Sequence, residues 1–274
     1  MAVDRSSPLN SELVTELRCL PVCSAAAGRA LMLVDDPSTS AADIARVLET
    51  DPALVTRLLL VANSAHYGLP RRVGNVQTAV AVVGFSTVRG LVAAAALGLV
   101  GDNDDLMPEG FWGHALTTAA VSTVVARHML PTAMPDAFGA ALLHDIGTAL
   151  LHRLRPQVHR LLTAAAADEA ELVVMEAESL GIDHAEAGGL ALEALQLPEA
   201  LVEAVRHHHQ PNGRPIASVV SIADQLARWL DAGGGEELPE ATLAMLSEFK
   251  VDGTRLVALT TELRQASPSD VLTV

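Results

Sequence analysis

The feature that most restricts the fold is the supply of Ala, Leu and Val in segments whose apolar residues recur every three or four positions. Half of the 274 residues are hydrophobic and only 3% are aromatic. In one such segment Leu54, Leu58 and Val61 follow the 4-3 spacing of a helix face. No alternating strand pattern of any length interrupts these segments, so the sequence predicts an all-α protein.

The length suits one large domain or two packed helical lobes, because either arrangement can bury a sizeable core. An acidic segment with a proline, 101–108, separates the two halves, and a glycine triplet, 233–235, follows the second half. We therefore predict an N-terminal helical lobe over 1–105, a second helical lobe over 106–235 and a C-terminal helical appendage over 236–274.

Capping residues and breakers divide the halves into helices. Ser40 with Asp43 three positions later marks one helix start, and Asp51 followed by a proline marks the next. Gly84 interrupts a long apolar stretch that we read as two helices. In the second half the pattern predicts one continuous helix over Asp136–Arg153.

The charge balance argues against nucleic-acid binding. Lys and Arg number 18 against 33 Asp and Glu, for a net charge of -15, and both nucleic acids and anionic membranes attract basic surfaces. Residues Ala41–Leu48 and Pro52–Ala62 resemble a helix-turn-helix, but Arg57 would be the only cation of the recognition helix. We expect these helices to be core elements, and neither a nucleic acid nor a membrane to be a partner.

The sequence favours a soluble cytoplasmic protein. The N-terminal residues lack the basic, apolar and cleavage regions of a signal peptide, and the longest apolar run, Gly90–Val100, is too short to span a bilayer. Cys19 and Cys23 are the only cysteines. We read them as buried or inert thiols, since two cysteines in this spacing are weak evidence for a metal site.

The histidines of the second half point to chemistry. His114 follows the apolar 3-4 series of its helix, which by itself also suits a hydrogen-bonded core histidine. An adjacent His144 and Asp145 inside an apolar helix are costly unless they are paired or bind a metal. Imidazoles and carboxylates suit Zn, Mn or Fe ions. The candidate ligands are His114, His144, Asp145, His184, His208, His209 and Asp224.

These residues carry a family resemblance. His114, His144-Asp145 and Asp224 resemble the H…HD…D signature of the HD superfamily of metal-dependent phosphohydrolases, and His184, His208 and His209 resemble the extra ligands of its two-metal members. The finer pattern is similar to the HDOD (HD-related output domain) branch from about Leu20 to Leu230. The matching segments are A-N-S-A-H-Y-G-L-P (62–70), W-G-H (112–114), A-L-L-H-D-I-G (141–147), E-A-E-S-L-G-I-D-H-A-E-A-G (176–188), H-H-Q-P (208–211) and S-I-A-D (221–224).

The resemblance implies an all-helical chain in which an N-terminal lobe packs on an HD-like lobe. HDOD domains are associated with bacterial signalling and are generally regarded as regulatory modules without established catalysis. We therefore expect a signalling protein that acts through a protein partner. A divalent metal (Fe, Mn or Zn) in the histidine site and a homodimer are both left open.

The alternative is a metal-dependent phosphohydrolase that acts on a nucleotide or cyclic dinucleotide with a two-metal HD site. Several residues depart from that activity. Thr148 stands where catalytic relatives carry a lysine, Gly110 stands where a glutamate would precede His114 by one turn, and no G-Y-P signature follows His209. Arg206 and Arg214 are the only cations that the sequence places nearby. We therefore prefer the regulatory module.

A regulatory module needs a contact surface, which we place on the N-terminal lobe. The predicted partner-binding residues are Asp51, Asn63, Tyr67, Arg71 and Arg72. The simpler interpretation, in which Asn63 closes a helix and the two arginines are merely solvated, stays open beside it. We read His128, His152 and His159 as surface residues because each has an arginine neighbour.

Overall fold

A computed structural model describes residues 8–100, 107–234, 237–249, 251 and 253–265. Its described residues form helices and no strand, which confirms the predicted all-α class. Short 3-10 turns occupy Ala65–Tyr67 and Pro131–Ala133. The α-helices are α1 Pro8–Arg18, α2 Ala25–Val34, α3 Ala41–Leu48, α4 Pro52–Ala62, α5 Val76–Ala96, α6 Phe111–Met129, α7 Met134–Leu143, α8 Ile146–Leu154, α9 Pro156–Ala165, α10 Glu169–Leu180, α11 His184–Ala194, α12 Glu199–Arg206, α13 Pro215–Asp231, α14 Glu240–Glu248 and α15 Gly253–Gln265.

Local hydrogen bonds explain where the first helices begin. Ser40 and Asp43 form a reciprocal capping box at α3, and the Asp51 carboxylate accepts hydrogen bonds from the first amides of α4. Gly84 has φ 80° and ψ 163°, so α5 is two helical segments that meet at a kink. Only glycine adopts such a backbone without strain, and the predicted interruption is therefore confirmed.

The predicted continuous helix over Asp136–Arg153 is wrong. The chain forms α7 and α8, and His144 and Asp145 lie in the turn between them. The Asp145 carboxylate makes no cap hydrogen bond to α8. A break at this point lets two adjacent side chains leave the helical register, so both reach the same interior site.

One large apolar core runs through the chain and includes residues from α1 to α13. The N-terminal helix α1 packs against α10 and α11. Its Glu16 also pairs at 2.8 Å with Arg155, which lies between α8 and α9. A smaller core joins α14 and α15 to α6 and α13 through residues such as Leu246 and Leu259. Both predicted lobe boundaries, 105/106 and 235/236, lie outside the described residues, and the division stays a prediction.

Helix α5 is the one described helix that is long and apolar enough to cross a membrane. Of its apolar window, 67% is buried inside the protein, as in the core helix of a soluble protein. Cys19 and Cys23 are free and exposed rather than buried.

Candidate metal centre

The seven candidate ligands meet around the Asp145 carboxylate. On one side, Oδ2 lies 3.2 Å from His144 Nε2 and 3.7 Å from His114 Nε2. Asp224 closes this set, because its Oδ1 lies 2.9 Å from His114 Nε2 and 3.5 Å from His144 Nε2. These four residues come from α6, the α7–α8 turn and α13.

The other oxygen of Asp145 faces a second set. Oδ1 lies 3.5 Å from His184 Nε2 and 3.4 Å from His208 Nε2. His209 Nε2 lies 2.7 Å from His184 Nε2. Asp145 is therefore the residue that the two sets share, as a bridging carboxylate would be.

The arrangement suits metal binding better than a hydrogen-bonded core. His144 Nε2, Asp145 Oδ1 and His208 Nε2 are buried atoms without a hydrogen-bond partner, although carboxylate or imidazole atoms lie within 4 Å of each. Orphaned buried polar atoms are costly unless something else satisfies them. Ligand atoms of Asp145 with three histidines, and of Asp145 with His114 and His144, lie within 4.8 Å of one another. A nitrogen and oxygen set of this kind fits Zn, Mn or Fe.

Backbone and carboxylate acceptors orient the buried histidines. The Nδ1 atoms of His144 and His208 each lie 2.7 Å from a backbone carbonyl, of Ala141 and Val205 respectively. A carbonyl only accepts, so each Nδ1 carries a proton. Once Nε2 gives up its proton to a metal, its lone pair faces the centre, as a metal ligand requires.

Glu176 holds the third buried histidine. Its Oε2 lies 2.6 Å from His184 Nδ1, and its Oε1 lies 3.2 Å from His159 Nε2. Burial raises the pKa of Glu176, but the hydrogen bonds from His159 and His184 outweigh it, and the pKa falls to about 2. The prediction that His152 and His159 lie on the surface is wrong, since both are buried. Glu176 belongs to the matched E-A-E…H segment, which could have identified it.

The pKa of the buried histidines shifts in opposite directions, because carboxylates raise it at His144 and His184 while burial lowers it at His209. Burial lowers the pKa of His144, but Asp145 and Asp224 more than offset it and raise it to about 10. His184 rises to a pKa of about 9 in the same way, chiefly through Glu176. Burial and the neighbouring His208 lower the pKa of His209 to about 2. The carboxylates around Asp145 therefore stabilise positive charge at the centre.

Two residues that the sequence analysis missed also reach the centre. Arg228 lies 3.1 Å from Asp224 and 3.0 Å from Glu169 and also faces Asp145 at 3.6 Å. Glu169 Oε1 lies 3.3 Å from His184 Nε2. Arg228 follows Asp224 by four residues on one helix face, a spacing that could have revealed it.

The expectation that Arg206 and Arg214 are the nearby cations is wrong. Arg206 pairs with glutamates such as Glu186, at 3.2 Å, and Arg214 pairs with Glu203 at 2.8 Å. Arg228 is the arginine that faces the candidate ligands instead.

A close helix contact sets the spacing of the site. Helix α8 crosses α11 at Gly147, where an added Cβ would lie 1.8 Å from the carbonyl oxygen of His184 and 2.7 Å from the amide nitrogen of Gly188. Only glycine lets the two backbones approach this closely. The glycine of the H-D-I-G motif therefore brings Asp145 and His184 to the same centre.

A cleft of about 760 Å³ opens onto the centre, and we call it the acidic cleft. Asp145, His114 and Arg228 are among the residues that line it, and so is Thr148, which stands where catalytic relatives carry a lysine. The carboxylates that line it are Glu109, Asp145, Asp168, Glu169 and Asp231. Burial and the nearby Asp145 raise the pKa of Glu169, which reflects this crowding of negative charge.

The predicted partner surface is partly structural. Asp51 caps α4 and accepts a hydrogen bond from Ser24, and Asn63 bonds both the amide and the carbonyl of Val73 across the following loop. Tyr67 is half-buried. The remaining pair, Arg71 and Arg72, is exposed on the loop, and its role in binding stays a prediction.

Solved structures of other proteins share this fold. The solved structure of a "Putative phosphohydrolase" from Shewanella amazonensis SB2B is 27% identical and covers 97% of each chain with a TM-score of 0.72. A "Putative signal transduction protein" from Marinobacter aquaeolei VT8 is 23% identical, covers 96% of this chain and 63% of its own, and superposes with a TM-score of 0.70. That second likeness shows the fold alone.

A curated relative, an "Uncharacterized protein" of Treponema pallidum (strain Nichols), is 26% identical over 241 residues. The match covers 85% of this chain and 47% of the relative, so the chain spans about half of that relative's length. The family model described as HDOD domain matches residues 20–211. Because this match covers more than half of the 274 residues and the fold agrees, the chain belongs to the HDOD domain family.

Proposed function

We propose that this chain is a metal-binding regulatory module of a signalling pathway, that it works in the cytoplasm, and that it acts by binding another protein. The observation that carries the proposal is the charge of the acidic cleft. Five carboxylates line it. Arg228 lies 3.6 Å from Asp145, 3.0 Å from Glu169 and 3.1 Å from the neighbouring Asp224. Such a cleft attracts metal cations but repels a phosphate substrate.

The ligand geometry supports two metal positions. His114, His144, Asp145 and Asp224 would hold one ion, and His184, His208 and His209 would hold a second beside the other oxygen of Asp145. A bound divalent ion supplies positive charge and Lewis acidity at that position. The protein's own part is to orient the imidazoles through Glu176 and backbone carbonyls and to exclude water from the buried ligands.

Elemental analysis of the purified chain tests the metal. We expect stoichiometric Fe, Mn or Zn in the wild type, and loss of both ions in Asp145→Asn because Asp145 faces both sets. The control is Asp36→Asn, which changes a fully exposed carboxylate outside the site. Far-UV circular dichroism verifies that both variants are folded. A wild-type chain without stoichiometric metal would contradict the proposal.

Capture of a binding partner tests the regulatory role. The exposed Arg71 and Arg72 suit an acidic protein surface. Replacing both with Glu should therefore abolish binding of an acidic protein that the wild-type chain captures. The control is Arg46→Glu, which changes an exposed arginine on α3. Capture that persists in the Arg71/Arg72 variant would refute the proposed surface.

A second function, metal-dependent phosphoester hydrolysis, has one observation in its favour. His114 and Asp145 line the acidic cleft, where a substrate could reach them. The "Putative phosphohydrolase" from Shewanella amazonensis SB2B covers 97% of the chain. Turnover of cyclic dinucleotides or generic phosphoesters with added Mn²⁺, abolished by Asp145→Asn, would establish hydrolysis and displace the regulatory proposal.

A further inference from the structure

A second cavity lies beside the acidic cleft, and we call it the basic cavity. Its volume is about 630 Å³, and residues from α4, α6, α8 and α9 surround it. The two cavities share one wall, the segment of Pro108 to Phe111 together with Gly113. None of the seven candidate metal ligands lines the basic cavity.

The lining of the basic cavity is cationic although the chain carries a net charge of -15. Arg57 stacks on Trp112, with its guanidinium carbon 4.4 Å from the ring centroid, and this contact fixes the guanidinium at the cavity wall. Arg160 reaches the cavity from α9. Among the described residues that line it, Glu109 is the single carboxylate.

His152 adds a buried polar group that faces the cavity. It is 8% exposed, it lines the basic cavity, and its ring contacts His159 at a centroid distance of 5.5 Å. Within the described part of the chain its ring nitrogens make no hydrogen bond, and they are not among the fully enclosed atoms that lack a partner. These nitrogens are therefore reachable from the cavity and available to a ligand bound there.

The start of α6 supplies further donors. Gly110 is the N-cap residue of this 19-residue helix, and no side chain caps its first amides. The first amide groups of a helix lack partners within the helix, and the helix dipole favours an anion at this end. The amide of Phe111 donates to the carbonyl of Pro108, which leaves the amides of Trp112 and Gly113. Both residues line the basic cavity together with Arg57 and Arg160.

We propose that the basic cavity binds a small anion that carries a phosphate group. Two guanidinium groups, one buried imidazole and uncapped amides are the donor set that proteins use for phosphate oxygens. The ligand is either free inorganic phosphate or the phosphate of a mononucleotide, and the volume admits both. This site lies outside the ligand set on which the proposed metal function rests, so either proposal can fail without the other.

Calorimetric titration of the full chain in EDTA tests the proposal, because chelation removes any metal that could itself bind phosphate. The probes are inorganic phosphate, AMP and GMP. Arg160→Gln is the main variant, since Arg160 is exposed and its replacement leaves the core untouched. We expect its binding to weaken about tenfold, the effect of losing one charge-assisted hydrogen bond. Glu109→Gln should strengthen binding, because it removes the carboxylate that faces the anion.

Two controls separate the basic cavity from other sites. Arg46→Gln removes an exposed arginine of α3, and His144→Ala damages the metal centre, so both should bind the probes like the wild type. Tighter binding of AMP or GMP than of phosphate identifies a nucleotide site, and equal binding identifies a phosphate site. Absence of binding at millimolar probe, or equal affinities of Arg160→Gln and Arg46→Gln, would overturn the proposal.

Discussion

The acidic cleft and the basic cavity share a wall but are built for opposite charges. In the acidic cleft, carboxylates such as Asp145, Asp224 and Glu169 crowd around buried histidines, and Arg228 is the arginine that reaches them. In the basic cavity, the described lining holds Arg57 and Arg160 with one carboxylate, Glu109. Two neighbouring sites of opposite sign therefore lie on either side of the first turn of α6.

The difference shows that net charge describes a chain and not its sites. A net charge of -15 agrees in sign with the carboxylates that line the acidic cleft around Asp145. The same number gives no hint of the basic cavity, because its two arginines lie about a hundred residues apart in sequence. Tertiary packing alone brings them together.

The substitution with the largest expected effect is Gly147→Ala, which should disturb both cavities. The added methyl group overlaps the backbone of α11 at His184, and a backbone cannot move aside as a flexible side chain can. Helix α8 carries Asp145 at its start and His152 in its last turn, so both cavities depend on its position. We expect a loss of about 3 kcal/mol in the free energy of unfolding, measured by chemical denaturation, with loss of metal and phosphate binding together.

Gly74→Ala is the matched control, because an added Cβ at Gly74 meets nothing within 4 Å. It should leave stability and both binding activities unchanged. Retention of phosphate binding in Gly147→Ala would show that the two cavities do not share α8 as a common frame.

The sequence predicted what depends on local chemistry and on a recognisable motif. Asp51 and Ser40 start helices through hydrogen bonds to residues two or three positions away, so the pattern is visible in the sequence. The seven candidate ligands that the structure brings together follow the spacing of the family motif, so they could be chosen from the sequence. The break at His144-Asp145 was missed, because apolar periodicity continues across it on both sides.

Contacts between distant helices were not predictable in the same way. Glu169 reaches His184 from another helix, and helical periodicity does not tell which helices meet. His159 was misjudged because Arg160 follows it, yet adjacent residues on a helix point in different directions. A charged neighbour therefore does not make a histidine a surface residue, and His159 is fully buried against Glu176.

The second prediction tests the difference in charge between the two cavities by adding the divalent cation that we propose the acidic cleft binds. A divalent ion that binds only the folded chain stabilises it by mass action, by about 2.7 kcal/mol when its free concentration is a hundred times its Kd. We expect Mn²⁺ or Zn²⁺ to raise the Tm of chelator-treated wild-type protein, and EDTA to reverse the increase. Asp145→Asn should show no such increase, while Arg160→Gln should respond like the wild type. An equal response of both variants to the metal would place the ion elsewhere.

The smallest expected effect is the loss of metal affinity on replacing Glu176, which is not itself a candidate ligand. Glu176 accepts a hydrogen bond from His184 Nδ1 and so positions its Nε2, and Glu176→Gln replaces that charged acceptor with a neutral amide. Loss of such a partner typically lowers metal affinity by about 10- to 100-fold. Glu178→Gln, an exposed position on the same helix, is the control and should bind metal like the wild type. Competition with a chromophoric chelator measures both affinities, and phosphate binding in the basic cavity should not change in either variant. Because an imidazole held only by packing would bind as well without the carboxylate, unaltered affinity in Glu176→Gln would show that Glu176 merely fills space between His159 and His184.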